Sequence, residues 1–286
     1  MSLQSAAQLY YLRKFKESKI KLSLAFLSIP DVSPIDAIKI AAEAKFDALS
    51  LRLLPAINKE SNYPLLLDDK LAKQVRKNLK NYGLFLSDIE IIRIKPNFKL
   101  NDFKSIISRT CDLGCKNIIT VGDDRDRTRL IENFTYLCES ARKYDLTISL
   151  EALPWSSIPS IHDAFDVITK SKAENAKLIL DALHFYRNKK NQGILRKIPA
   201  NLFSVFQICD GTKTYKNDTK LIRDYARTQR LPPGEGELDL RKLIGYINKK
   251  TIISIEVPNQ KMLHSMKALD RAKYLMQCTK KIVNIQ

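Results

Sequence analysis

Eight short apolar segments alternate with amphipathic stretches of helical period, and this alternation limits the fold more than any other feature of the chain. The apolar segments span residues 21–29, 46–55, 84–94, 116–122, 146–153, 176–183, 201–211 and 251–258. Strands that are apolar on both faces and are joined by helices form parallel sheets. The sequence therefore predicts an α/β fold with a parallel sheet at its centre.

The number of strands indicates that this sheet closes. Predicted helices span 34–44, 65–83, 101–114, 128–144, 160–172, 238–250 and 264–283. Eight strand and helix units in 286 residues suit a (β/α)8 TIM barrel, which takes about 250 residues. An open doubly wound sheet is the alternative, but the segment after the first strand, LAFLSIPDVSP, has no glycine for a phosphate loop. We predict a single barrel domain over 21–286, preceded by an extension over 1–20 that is a helix under the barrel or a flexible tail.

Composition excludes several other classes of protein. Hydrophobic residues make up 44% and charged residues 28% of the chain, which is typical of globular domains. No apolar run approaches the roughly 20 residues of a membrane span. Five cysteines, an odd number without a CxxC pair, argue against a disulfide framework. We expect a cytoplasmic protein from a reducing compartment.

The chain is strongly basic, with 49 Lys and Arg against 31 Asp and Glu and a net charge of +18. Such a field attracts anionic ligands. The basic residues are spread along the predicted helices, and no aromatic-interleaved nucleic-acid motif accompanies them. The sequence favours solvated helix faces and a small, sugar-like or anionic substrate. It predicts no specific nucleic-acid or membrane partner and leaves self-association open.

Polar residues end the predicted strands five to eight, where the active site of a barrel lies. Glu151, Asp181 and Glu256 each end a largely apolar segment, and Gln207 lies in strand seven. Any one of these carboxylates could cap a following helix. Together they would repel one another unless a divalent cation neutralised them. Carboxylate and amide oxygens are hard donors, so we predict one metal ion, with Mn²⁺ or Mg²⁺ ahead of Co²⁺ or Zn²⁺.

Further polar residues near these strand ends are candidates for contacts with the substrate. His184 follows Asp181 by three residues and, as a neutral imidazole, could assist proton transfer. The connection 211–236 is long enough to cover the strand ends as a lid. Candidate substrate contacts are Arg230, which we rank first for an anionic group, then Arg52 and Arg187, together with Asp210.

The series Glu151, Asp181-x-x-His184, Gln207-x-x-Asp210 and Glu256 resembles the xylose isomerase-like TIM-barrel superfamily, the sugar phosphate isomerase/epimerase group, over about residues 20–283. The resemblance implies that Glu151, Asp181, Gln207 and Glu256 bind one metal ion, that the two glutamates exchange a substrate proton, and that His184 binds a substrate hydroxyl. The strand-seven ligand in this family is usually histidine. Glutamine at that position resembles the dehydroshikimate dehydratase branch, so substrate and reaction are less determined than metal binding.

These residues predict a metal-dependent isomerase or epimerase that acts on a sugar, a polyol-derived ketone or a sugar phosphate through an enediolate. A dehydratase of a cyclic hydroxy-ketone, of the dehydroshikimate or inosose type, is the nearest alternative. A protein that binds nucleic acid or resembles apurinic endonucleases is a third reading, although three scattered histidines cannot supply a multi-zinc cluster. A barrel that only binds a ligand is a fourth.

Overall fold

The computed structural model describes residues 20–55 and 64–283. Eight parallel strands close into a barrel in sequence order, which confirms the predicted (β/α)8 fold. The strands are β1 (Leu22–Leu24), β2 (Ala48–Arg52), β3 (Phe85–Ile94), β4 (Asn117–Gly122), β5 (Thr147–Glu151), β6 (Ala176–Asp181), β7 (Phe203–Ile208) and β8 (Ile252–Ile255). The helix proposed within the extension lies outside the described residues.

Helices surround the barrel and cover the apolar outer faces of its strands. They are α1 (Pro34–Glu43), α2 (Asp69–Tyr82), α3 (Lys104–Asp112), α4 (Arg127–Arg142), α5 (Ile161–Ser171), α6 (Ala182–Tyr186), α7 (Thr219–Thr228), α8 (Leu240–Ile244), α9 (Gln260–Ser265) and α10 (Ala268–Val283). Across the two described ranges, no helix is long and apolar enough to cross a membrane.

Local sequence signals account for the ends of these helices. Ser33 caps α1 by accepting a hydrogen bond from the backbone N–H of Asp36, and Pro34 fills the first helical position. Gly83 ends α2 at φ 66°, a left-handed conformation that glycine adopts without a steric penalty. These residues therefore fix where α1 begins and where α2 ends.

The barrel interior contains a polar layer built from the odd-numbered strands. The Ser23 and Ser87 hydroxyls lie 2.7 Å apart, as do those of Ser149 and Ser204. Each pair spans an intervening strand, so these side chains must point inward. Next to this layer, Ile119, Ile179 and Val205 form a separate apolar cluster. The interior is filled with side chains, which leaves the strand ends as the place for a cavity.

The segment between β7 and β8 is more ordered than the predicted lid. It contains α7 and α8, and Asp210 pairs with Leu231 in an antiparallel bridge. Asp218 caps α7 by accepting from the backbone N–H of Leu221. The chain after α7 then returns to the barrel, so Arg230 lies beside the strand ends and is buried.

Candidate functional site

A cavity of about 270 Å³ lies at the carboxyl ends of the strands. Glu151 is the last residue of β5, Asp181 is the last residue of β6, and Glu256 follows β8 directly. All three carboxylates are buried. Glu151, Gln207 and Glu256 line the cavity, whereas Asp181 lies behind Arg230. The structure thus brings together the four residues predicted to bind a metal ion.

Arg230 inserts its guanidinium between two of these carboxylates. Its Nη1 lies 2.6 Å from Asp181 Oδ2 and 3.1 Å from Glu256 Oε2. Its Nε donates to the carbonyl oxygen of Ala226 at 2.8 Å, within the last turn of α7. Both charged contacts are buried, so solvent screens them little. Arg230 is therefore part of the carboxylate cluster.

Gln207 contributes an amide to the same cluster. Its Nε2 donates to Glu256 Oε1 at 3.1 Å, while its Oε1 is buried and accepts no hydrogen bond. A buried amide oxygen without a donor is costly. It is also a hard oxygen donor suited to a divalent cation. This unsatisfied oxygen distinguishes the strand-seven position from an amide that serves packing alone.

His184 lies on α6 beside two of the carboxylates. Its Nε2 is 3.8 Å from Glu151 Oε1 and 3.9 Å from Asp181 Oδ2. Burial is the main cause that lowers the pKa of His184 to about 4, so the imidazole is neutral at pH 7. Arg230 Nη2 lies 3.3 Å from His184 Nε2. Because a guanidinium can only donate, Nε2 accepts and Nδ1 carries the proton.

Burial and mutual repulsion disturb the titration of the two glutamates. Burial, followed by repulsion from Glu256 and Asp181, raises the pKa of Glu151 well above its usual value. Burial also raises the pKa of Glu256 to about 8. At Asp181, burial opposes ionisation, but Arg230 and the other surrounding groups outweigh it and the pKa is lowered. Asp181 is therefore the ionised member of the cluster at neutral pH.

The buried carboxyl groups at the strand ends outnumber the buried guanidinium groups that pair with them. Four buried carboxylates, on Glu90, Glu151, Asp181 and Glu256, face two buried guanidinium groups, on Arg52 and Arg230. Without a cation, Glu151 and Glu256 reduce this charge by retaining their protons at neutral pH, in line with their raised pKa values. If all four carboxylates ionised, an excess of two negative charges over these guanidinium groups would result, which a divalent cation would neutralise. Ligand atoms of Glu151, Asp181 and His184 also lie within 4.8 Å of one another. The donor set therefore fits a divalent metal ion, with Arg230 as a competing positive charge.

Arg52, one of the predicted substrate contacts, ends β2 and pairs with Glu90 of β3 in a buried ion pair. Ser50 Oγ donates to the same carboxylate at 3.1 Å. The Arg52 guanidinium also lies over the ring of Phe26, 4.6 Å from its centroid. These contacts fix Arg52 at the cavity wall.

Asp210 and Arg187 lie near the cavity but do not line it. The Asp210 carboxylate accepts hydrogen bonds from the backbone N–H groups of Gly211, Gly234 and Leu238 at 2.8 to 3.0 Å. It therefore anchors the loop that follows β7, and this geometry differs from the substrate contact predicted for it. Arg187 follows α6 and packs against Tyr215 and Tyr225.

Sequence reasoning missed several residues of the cavity wall, among them Trp155 and Arg227. Trp155 meets His184 edge to face, with ring centroids 5.0 Å apart. Arg227 of α7 lines the cavity beside Arg230. Trp155 is the single tryptophan of the chain and follows Glu151 by four residues, so its position just past a strand end was a usable signal.

Comparisons with known proteins agree with this fold. Residues 38–282 match the family model described as xylose isomerase-like TIM barrel. Inosose isomerase of Bacillus subtilis is 21% identical over 189 residues, which cover 61% of this chain and 66% of that protein. The chain thus matches just under two thirds of the length of that relative.

Solved structures share the whole barrel at low sequence identity. The IolI protein with a bound zinc atom superposes with a TM-score of 0.79 at 17% identity, covering 93% of this chain and 98% of that one. The probable 3-DHS dehydratase AsbF of Bacillus anthracis gives a TM-score of 0.73 at 15% identity, covering 91% and 99%. Since the family model covers most of its length, the chain belongs to the xylose isomerase-like TIM barrel family.

Proposed function

We propose that this protein is a divalent-metal-dependent isomerase or epimerase that acts on a sugar, a polyol-derived ketone or a sugar phosphate. The observation that carries the proposal is the buried cluster of Glu151, Asp181, Gln207 and Glu256, in which three carboxyl groups have one guanidinium, that of Arg230, between them and an amide oxygen has no donor. The zinc atom named for the IolI structure and the activity named for inosose isomerase support it.

A cation bound by these four residues would supply the positive charge that stabilises an enediolate. In this proposal the two glutamates exchange the proton on the carbon next to the carbonyl. Glu151 lies beside His184 on one side of the cluster, and Glu256 is held by Gln207 and Arg230 on the other. Return of the proton to the opposite face gives an epimer, and return to the adjacent carbon gives an isomer.

Neutral His184 binds the substrate as a hydrogen-bond donor in this proposal. Its Nδ1 is buried and has no hydrogen-bond partner. Because Nε2 faces Arg230, the Nδ1–H is the donor that remains for a substrate hydroxyl. Trp155 packs edge-on against the imidazole and limits its rotation. The ring is thus positioned by contacts that do not depend on the substrate.

Dehydration of a cyclic hydroxy-ketone is the second candidate. It begins with the same proton removal but ends with loss of a β-hydroxyl. The structural likeness to the probable 3-DHS dehydratase and the glutamine at position 207 favour it. Formation of an enone, seen as a new ultraviolet absorbance, distinguishes this reaction from isomerisation, which conserves the carbonyl and produces no conjugated product.

Nucleic-acid cleavage is less compatible with the site. In the described part of the chain, Glu151, Asp181 and His184 make up the one cluster of acidic, histidine or cysteine groups close enough to hold a metal ion. His162 and His264 lie on the outer helices α5 and α9 and cannot extend that cluster. A cavity of about 270 Å³ suits a single sugar-sized molecule.

Hydrogen exchange with solvent tests the proposal. The protein is stripped of metal, reloaded with Mn²⁺ or Mg²⁺, and incubated in D₂O with a panel of ketoses, inososes and sugar phosphates. NMR spectroscopy should show deuterium at the carbon next to the carbonyl of at least one compound. Exchange should stop on metal removal and in the Glu151→Gln variant, because that residue carries the proton.

Glu174→Gln is the matched control, since Glu174 is 85% exposed and pairs with Arg142 at 3.7 Å at the surface. This variant should exchange at the wild-type rate. Full exchange in protein with a confirmed empty metal site, or in Glu151→Gln, would contradict the proposal.

A further inference from the structure

The three arginines predicted to contact an anion have different partners. Arg52 pairs with Glu90, and Arg230 pairs with Asp181 and Glu256. Arg187 forms no ion pair with any carboxylate of residues 20–55 and 64–283, and its Nη1 and Nη2 donate no hydrogen bond although both atoms are buried. Only 4% of Arg187 is exposed.

A buried guanidinium with unused donors is unfavourable unless an acceptor completes it. Two aromatic rings compensate in part, because the guanidinium carbon lies 4.6 Å from the centroid of Tyr215 and 5.3 Å from that of Tyr225. Burial lowers the pKa of Arg187, which agrees with a charge that is incompletely solvated. The rings stabilise the charge from its faces and leave the N–H donors at the edge unsatisfied.

The Arg187 guanidinium packs against the loop that follows β7. A Cβ atom built at Gly211 would lie 2.9 Å from Leu183 Cδ1, 3.3 Å from Tyr225 Oη and 3.4 Å from Arg187 Nη2. This stretch is closely packed, so an anion reaches the Arg187 donors by displacing the loop. The Tyr225 hydroxyl also accepts a hydrogen bond from the backbone N–H of Thr212 at 3.3 Å. Arg187 and the Tyr225 hydroxyl therefore converge on one stretch of backbone that carries no side chain.

Arg187 is also held at a fixed position relative to the candidate site. Its backbone N–H donates to the carbonyl oxygen of Leu183 at 3.0 Å, which closes α6. The same short helix contains His184, and Asp181 caps its start. A group bound by Arg187 would thus lie one helical turn from the imidazole that faces the substrate.

We infer that Arg187, enclosed by Tyr215 and Tyr225, binds an anionic group of the substrate, a phosphate or a carboxylate. This inference rests on the proposed function and narrows it to anionic substrates. It also reverses the order predicted from the sequence, in which Arg230 ranked first, because Arg230 is already neutralised by Asp181 and Glu256. A planar guanidinium with two free Nη groups offers paired donors for such an anion.

Thermal unfolding in the presence of simple anions tests this subsite without turnover. Wild type, Arg187→Gln and Arg223→Gln are titrated with inorganic phosphate, and separately with acetate, at constant ionic strength. Arg223 is the matched control because 40% of its side chain is exposed and it pairs with Asp224. A ligand that binds only the folded state raises Tm.

Phosphate or acetate should raise the Tm of wild type and of Arg223→Gln, with an apparent Kd that is about ten- to a hundredfold weaker in Arg187→Gln. Protection by phosphate alone identifies a phosphorylated substrate, and protection by acetate alone identifies a sugar acid. Equal protection of Arg187→Gln and wild type, or no protection of wild type by either anion, would overturn the inference.

A second variant keeps the test valid if Arg187→Gln fails to fold. Tyr215→Ala removes one ring from the loop and leaves Arg187 in place, and it should weaken anion binding. Unchanged anion binding in Tyr215→Ala would contradict a site in which Tyr215 and Tyr225 enclose Arg187. Neither titration requires metal or turnover. A negative titration therefore does not contradict the proposed proton exchange at Glu151, and failed proton exchange does not contradict anion binding at Arg187.

Discussion

Asp88 is a buried carboxyl that the proposed reaction does not use, and its ionisation should limit the stability of the fold. It lies in β3, is 1% exposed, and accepts a hydrogen bond from Ser87 Oγ at 2.7 Å through Oδ2. Its Oδ1 has no partner. Burial, together with repulsion from Glu90, raises its pKa from 3.8 to about 7. Replacing the ionisable group should therefore stabilise the protein at neutral pH.

The expected magnitude follows from the difference between the folded and unfolded states. Below pH 3.8 Asp88 is protonated in both states and has no effect through ionisation. Between 3.8 and about 7 the unfolded chain releases the proton while the folded chain retains it, so stability falls as pH rises. At about 1.4 kcal/mol per pH unit, the full loss above pH 7 is roughly 4 kcal/mol.

Urea unfolding of wild type and Asp88→Asn from pH 5 to 8 measures this loss. The advantage of Asp88→Asn in free energy of unfolding should grow by about 1.4 kcal/mol per pH unit up to pH 7 and then level off. Asp124→Asn is the opposite control, because hydrogen bonds from Arg129 lower the pKa of Asp124. That variant should lose stability by an amount that does not change from pH 5 to 8, because Asp124 is ionised throughout this range in both the folded and the unfolded chain. A difference between Asp88→Asn and wild type that does not change with pH would refute this reasoning.

Other perturbations test the remaining parts of the account. Arg230→Ala removes a positive charge that lies 2.6 Å from Asp181 and 3.1 Å from Glu256. The affinity of the protein for Mn²⁺, measured by calorimetry, should therefore rise by about tenfold or more. Weaker Mn²⁺ binding would mean that Arg230 organises the metal ligands. Gly236→Ala would place a Cβ atom 2.6 Å from the backbone nitrogen of Gly211. The free energy of unfolding should therefore fall by about 1 to 3 kcal/mol. An unchanged midpoint of urea unfolding would contradict the tight packing of this turn. Duplex DNA should bind weakly with a steep salt dependence in a fluorescence anisotropy assay, and cleavage of an abasic duplex by wild type but not by Glu151→Gln would establish a nuclease instead.

The barrel could be predicted from the sequence because every strand is a separate apolar run with a helix after it. The bounds of the strands could not be predicted, since apolar residues continue past the last ladder hydrogen bond. The first run, 21–29, contains only three strand residues, Leu22–Leu24, because Phe26–Ser28 turn into a 3₁₀ helix. Likewise, the run 201–211 yields the strand Phe203–Ile208.

The carboxylates of the site could be predicted for the same reason, since each ends an apolar strand. That Arg230 is the partner of Asp181 and Glu256 could not be predicted. Arg230 reaches them only because α7 and the bridge between Asp210 and Leu231 return the chain to the barrel, and that path is set by tertiary packing. Sequence alone ranked Arg230 as a contact for substrate because it could not reveal which arginine already has carboxylate partners.

The register between neighbouring strands of the barrel also could not be predicted from the sequence. Leu49 pairs with Leu86 but Ser50 pairs with Asp88, so the ladder shifts by one residue between β2 and β3. A shift of one residue changes the face to which later side chains point. The burial of Asp88 and the pairing of Arg52 with Glu90 depend on this irregularity.

Anomalous diffraction from crystals grown with Mn²⁺ tests the central claim most directly. The account predicts one strong anomalous peak among the side chains of Glu151, Asp181, Gln207 and Glu256, with the Gln207 Oε1 atom facing it. The peak should be absent in Glu256→Gln crystals prepared in the same way. Crystals with Mn²⁺ in excess and no anomalous peak at these four residues, while Arg230 still bridges Asp181 and Glu256, would contradict a metal-dependent mechanism.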